Sequence, residues 1–196
     1  MDASGQGNYG VVERHGQALN FTAPQLLLWA VDSTTLTVSD LAAKNISAFA
    51  IFSVDGGHTY ETTMSDLMLG QDLIHPGGVI VVDDFVNDLW TGVVDGVIHH
   101  LHLNTTSLAP FLWACGKLYL AHKEWHDRYF QLVSRIPCVE CSFAKQPFHV
   151  SRYSLAGWRM CVHVSTRFEQ CSTDSYDTLF QQCLGLPMQP RQGIQK

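Results

Sequence analysis

Between Phe49 and Asp84 the hydrophobic pattern changes period twice. Phe49 to Val54 reads FAIFSV, a short apolar run that stops on Asp55 and two glycines. From His58 to Ile74 apolar and small residues recur at helical spacing, which predicts an amphipathic helix. Pro76, Gly77 and Gly78 read as a turn, and Val79 to Val82 is a second apolar run closing on Asp83 and Asp84. Two buried-type strands joined by a helix form a βαβ unit, whose strands must be parallel. Both strands then end on one edge of the sheet, and both end in carboxylates. Ligands of open α/β sheets bind outside that edge.

The remaining pattern extends an α/β reading in both directions. Gln25 to Val31 predicts a short buried strand ending on Asp32 and Ser33, and Ser39 is a candidate cap for a short helix over Asp40 to Lys44, with Asn45 near its end. A second amphipathic helix is expected from Val86 to His102. Leu108 to Ala114 and Lys117 to His122 read as a hairpin around Cys115 and Gly116. Glu124 to Arg135 reads as a helix with Trp125, Tyr129 and Leu132 towards the core. Gly157 to Ser165 is one more candidate strand. Residues 1–170 form the expected domain, and 171–196, polar and Pro-containing, the expected loosely ordered tail.

Composition narrows the function classes. A length of 196 residues suits one domain with a sizeable core. The formal charge of −6 and the lack of a Lys/Arg cluster argue against nucleic acid as partner. No apolar run approaches the ~20 residues of a membrane helix, and Met1 to Gly10 has no apolar signal core. A cytoplasmic setting, with reduced thiols, is the expectation. Cys138 and Cys141 form a lone C-x-x-C, for which ordinary thiols are a better reading than zinc. Gly5, Gly7 and Gly10 spell G-x-G-x-x-G, but no strand precedes them, so a flexible N-terminal loop is expected rather than a nucleotide cradle.

Candidate chemistry concentrates at the two strand ends. Asp55, Asp83 and Asp84 on one edge repel each other, by ~4 kcal/mol per pair at 4 Å and an effective dielectric near 20. A divalent cation would convert that repulsion into attraction, and oxygen ligands suit magnesium, manganese or calcium. Such an ion could grip a substrate hydroxyl and lower its pKa. His58, at the start of the helix, is either a general base or a helix-start residue bonded to the loop. Tyr60, Glu61 and Asp66 read as a solvated helix face, and His99, His100 and His102 as a solvated last turn complementing the helix dipole. Asn87 and Asp88 could supply a further oxygen.

The run Asp55-Gly56-Gly57-His58, the Pro76-Gly77-Gly78 turn and the Asp83-Asp84 pair, with Asp55 and Asp83 separated by 28 positions, resemble the second half of a class I S-adenosylmethionine-dependent methyltransferase. The resemblance is to small-molecule O-methyltransferases that hold magnesium beside the cofactor, such as those acting on antibiotic sugars. It extends more weakly from about Leu26 to Tyr129. It implies a partial Rossmann-like sheet, mostly parallel with an antiparallel C-terminal hairpin and helices on both faces. S-adenosylmethionine and Mg2+ or another divalent cation are the implied cofactors, and a small-molecule hydroxyl the implied acceptor. Asp55 and His58 become the catalytic candidates, and Asp55, Asp83 and Asp84 the metal ligands. Asp32, Ser33, Asp55 and Gly56 become cofactor contacts, although Asp32 and Ser33 read equally well as a helix cap. The family's first strand, Gly-rich loop and second strand have no counterpart here. Phe49 to Val54 would then face an open sheet edge, closed by the strand near Leu26, covered by a partner chain or a second copy, or left open because the sequence is an N-terminally truncated copy. A non-catalytic binding module that has lost the cofactor is the alternative function. Another metal-dependent enzyme, such as a glycosyltransferase, fits the Asp-Gly-Gly-His element less well.

Overall fold

The structure is a computed structural model that describes residues 9–19, 27, 29–114, 116–135, 140–141, 146–147 and 149–164. Helix α1 spans Tyr9–Ala18, a 3-10 turn Ser33–Thr35 and α2 Val38–Ala42. Strand β1 (Phe49–Val54), α3 (Tyr60–Leu73) and β2 (Ile74–Val82) follow, then α4 (Thr91–His102), β3 (Leu108–Ala114), β4 (Lys117–His122) and α5 (Lys123–Arg135). A two-residue ladder pairs β5 (Glu140–Cys141) with β6 (Gln146–Pro147). A final hairpin joins β7 (His149–Leu155) to β8 (Trp158–Val164).

One six-stranded sheet has the order β1-β2-β4-β3-β8-β7. β1 and β2 are parallel, as the βαβ pattern requires, and β3 is parallel to β8, while β2–β4, β3–β4 and β7–β8 are antiparallel. Chained together, these pairings point β1, β2, β3 and β8 one way and β4 and β7 the other. The β3–β4 hairpin falls where its alternating pattern predicts.

Side-chain alternation divides the core between two faces. Ile80 and Val82 of β2 and Leu118 and Leu120 of β4 pack with Leu67 of α3 and Val93, Val97 and Leu101 of α4. On the opposite face Phe111, Ala121 and Cys161 pack with Phe130 and Val133 of α5, flanked by Trp125 and Tyr129. Period-2 strands thus bury both faces, each under helices. Leu132 lies outside this core at 47% exposure, and His126 takes the inward position beside Phe130 and Val133. The burial stripe of α5 is rotated from the one expected.

Other boundaries moved for local reasons. α2 starts at Val38 because Thr37, not Ser39, caps it: the Thr37 hydroxyl accepts from the Asp40 N–H while the Asp40 carboxylate accepts from the Thr37 N–H, a capping box. Asn45, at φ 60°, ends that segment. α4 begins only at Thr91, because the Asp84–Asn87 turn interposes. Gly77 and Gly78 lie within β2 rather than in a turn. A Cβ on Gly78 would stand 2.8 Å from the Phe49 carbonyl oxygen, so only glycine lets β2 start this close to β1. Leu27 and Trp29–Asp32 form no strand, and β1 is an edge strand of the described sheet. Gly10 lies in α1; Gly5, Gly7, Cys138 and the expected tail lie outside the described residues.

Candidate functional site

Parallel register brings the two carboxylate-bearing strand ends side by side. Val54 is level with Val82, and the Asp83 N–H donates to the Val54 carbonyl at 2.9 Å. Asp55 and the Asp83–Asp84 pair therefore leave the sheet together. The chain then turns through His58 at φ 53° and Asp84 at φ 52°, both in the left-handed region. For non-glycine residues that conformation costs on the order of 1–3 kcal/mol each and gathers at functional sites.

His58 is the centre of this rim. Its Nε2 lies 3.2 Å from Asp84 Oδ2 and 3.7 Å from Asp55 Oδ1. Nε2 is buried, and neither contact has hydrogen-bond alignment. Trp90 stacks on the imidazole at a centroid distance of 4.7 Å and 24° between planes. Gly92 permits that stacking, because a Cβ there would come within 2.9 Å of the His58 carbonyl oxygen. Thr59 caps α3 through the Thr62 N–H. The helix-start role and the site role of His58 are thus compatible.

A cleft of about 200 Å³, including space open to solvent, lies under the Asp55–His58 loop and is lined also by Thr62, Thr63, Asp66, Asp83 and Val93. Asp66 is not on a solvated face: it is 6% exposed, and its Oδ1 has no hydrogen-bond partner. Burial pushes its carboxyl above the usual range, hydrogen bonding from Ser33 draws it back in part, and the charge of Asp32 pushes it up again. Tyr60 is likewise engaged, its hydroxyl paired with His99 Nδ1 and its ring stacked on the His99 ring. Glu61 is exposed, as expected. His100 is buried with both ring nitrogens unpartnered, and burial lowers its pKa, with His99 adding to the effect.

Asp32 and Ser33 divide between their two readings. Asp32 is exposed and caps the 3-10 turn, accepting from the Thr34 N–H at 3.0 Å and the Thr34 hydroxyl at 2.7 Å. Those bonds hold its carboxyl below the usual range. Ser33 is half-buried, and the 3-10 turn that carries it packs against α3, the helix of Asp66. Gly56 lies against the same residue: a Cβ there would be 3.2 Å from Asp66 Oδ2.

Of the three carboxylates expected to share a cation, Asp83 and Asp84 have contacts within the protein. Asp83 Oδ1 accepts from the Asp84 N–H at 2.9 Å, and Asp83 Oδ2 is ion-paired with Lys117. Asp84 Oδ1 accepts from Asn87 Nδ2 at 2.9 Å, and Asp84 Oδ2 faces His58. Three of the four oxygens of the pair have a hydrogen-bond or ion-pair partner, and the fourth, Asp84 Oδ2, faces His58. Among the described residues no three His, Cys, Asp or Glu side chains converge at ligating distances. Asn87 braces Asp84 instead of offering its oxygen outward, since its Oδ1 accepts from the Leu89 N–H. Sequence reasoning gave no site role to Lys117 or Trp90 and read Asp66 as part of a solvated helix face.

Residues 9–85 match the family described as a methyltransferase domain. The match covers β1, α3, β2 and the Asp83–Asp84 pair, and bears out the resemblance to class I S-adenosylmethionine-dependent methyltransferases. No curated protein matches. Among solved structures, the apo form of CalS11, a TDP-rhamnose 3'-O-methyltransferase in calicheamicin biosynthesis, aligns with 57% of this chain at 18% identity and a TM-score of 0.45. The alignment spans about half of that neighbour, 50% of its chain. No helix among the described residues of this methyltransferase-like chain is long and apolar enough to cross a membrane.

Proposed function

We propose that this domain transfers a methyl group from S-adenosylmethionine to a hydroxyl of a small molecule, with His58 taking the hydroxyl proton. The observation behind this reading is the convergence of Asp55, Asp84 and His58 at the carboxyl edge of two parallel strands, beside the cleft. The donor set suits the cofactor: Asp55 and the unpartnered Asp66 oxygen accept from hydroxyl or amino groups and favour a nearby positive charge. The cleft is a shallow hollow open to solvent and encloses far less space than a site that surrounds a whole ligand, so these residues account for part of the contact. When bound, S-adenosylmethionine supplies an electrophilic methyl on a sulfonium. Asp84 and Asp55 hold the imidazole by Nε2, and Trp90 fixes its plane. Nδ1 is then the lone pair available to accept a proton. Orienting the acceptor oxygen is the remaining contribution, and positioning of this kind carries much of the rate. No step is assigned to a metal, because the carboxylates that would hold it are engaged by Asn87, His58, Lys117 and a backbone N–H.

A second reading, a methyltransferase-like binding module, is favoured by β1, whose outer edge has no neighbour among the described residues. A partner chain or a second copy pairing with that edge belongs to either reading. Isothermal titration with S-adenosylmethionine decides between them. Saturable heat that weakens at least ~10-fold in Asp55→Asn, equivalent to ~1.4 kcal/mol, supports transfer. Absence of heat at millimolar cofactor selects the module.

A further inference from the structure

We propose that Lys117 is the resident cation of the carboxylate rim, standing where a divalent metal would otherwise balance Asp83 and Asp84, so that this site is metal-independent. Strand register puts it there. β4 runs antiparallel to β2 with Leu118 level with Val82, so the next position on each strand sets Lys117 beside Asp83. The backbone holds that placement from the other side, since the Phe85 N–H donates to the Gly116 carbonyl at 3.0 Å. Gly116, at φ 75°, supplies the turn that delivers the lysine. The ammonium then pairs with Asp83 Oδ2.

The pairing leaves a metal no coordination shell. Small hard cations need several oxygen ligands. Here the other Asp83 oxygen accepts from a backbone N–H and one Asp84 oxygen from Asn87, while the other Asp84 oxygen faces His58 without hydrogen-bond alignment. A cation could displace the neutral contacts, but it would still have to approach the fixed positive charge of Lys117, which is the barrier that its removal lifts. Asp55, whose side chain is 57% exposed, is the least engaged carboxylate, and alone it is a single weak ligand. The Lys117 side chain itself is 38% exposed. Its ammonium therefore has donors left for an incoming oxygen, and this last role rests on the methyl-transfer reading, whereas the exclusion of metal does not.

The test uses Mn2+ alone as probe, with the whole chain, and so does not depend on whether the cofactor binds. Titration followed by water-proton relaxation is expected to show no saturable Mn2+ site in the wild type at millimolar ion. Lys117→Gln, which removes the charge and keeps a side chain of similar reach, is expected to gain a saturable site at least ~10-fold tighter, or ~1.4 kcal/mol. Lys117→Arg keeps the charge and is expected to remain without one, which separates charge from side-chain shape. Saturable binding by the wild type overturns the proposal, as does a folded Lys117→Gln that gains none. Should Lys117→Gln fail to fold, the wild-type titration still decides, together with any S-adenosylmethionine heat, which EDTA must leave unchanged.

Discussion

The two sides of the sheet are built to different standards. β3 and β4, near its centre, bury residues on both faces, and Leu108, Leu118 and Leu120 are inaccessible to solvent. β1, at the border, buries only Val54, and Ile51 is 67% exposed. The candidate site lies where this border strand and its neighbour β2 end. There the backbone also departs from comfortable geometry at His58 and Asp84, and Nε2 of His58 and Oδ1 of Asp66 lack aligned partners. Two-sided burial is concentrated in the antiparallel centre, and the candidate site adjoins the border strand, where it is lost. A rim of carboxylates needs access to ligand, and such access is incompatible with two-sided burial.

Four substitutions test that contrast, beginning with the largest effect. Leu118→Ala empties a fully buried position at the centre and is expected to cost ~2–5 kcal/mol, read from urea unfolding. Gly78→Ala drives a methyl against the Phe49 and Ala50 carbonyl oxygens. Overpacking of this kind costs ~1–3 kcal/mol, and the loss should be visible as a lower unfolding midpoint. If Gly78→Ala is neutral, β1 and β2 are not as tightly joined as described.

Asp66→Asn addresses the cleft wall. The folded carboxyl titrates above 3.8, its ordinary value, so the folded state binds the proton more tightly than the unfolded chain does. The favourable contribution of the protonated acid is complete below 3.8 and is lost as pH rises through the folded-state value. The stability of Asp66→Asn relative to wild type should therefore climb with pH over that interval and then level off. A difference that stays flat with pH, followed by thermal unfolding, would contradict the burial of Asp66. The smallest effect is expected for Ile51→Thr on the border strand, within ~0.5 kcal/mol. A loss comparable with that of Leu118→Ala would mean that β1 is covered in solution by a partner or a second copy.

Much of the arrangement was legible along the chain because it is local. The apolar runs ending in Asp55 and Asp83, the helix between them and the hairpin from Leu108 to His122 each follow from period and turn chemistry, and the βαβ connection dictates that β1 and β2 are parallel. From these alone the carboxylates had to share an edge. What their oxygens would touch was not decided there, since it depends on which strand lies next to β2. Once β4 takes that place in antiparallel register, Lys117 meets Asp83 and forms an ion pair with it. Asp66 and His100 likewise looked like solvated helix positions. Helix periodicity gives a residue its face, but the packing of α3 against the Asp55–His58 loop and the 3-10 turn, and of α4 against α3, determines which faces water can reach. Sequence determined the elements and the edge where the acids gather. Tertiary structure alone chose the partners of each charge, because those partners come from strands and turns distant along the chain.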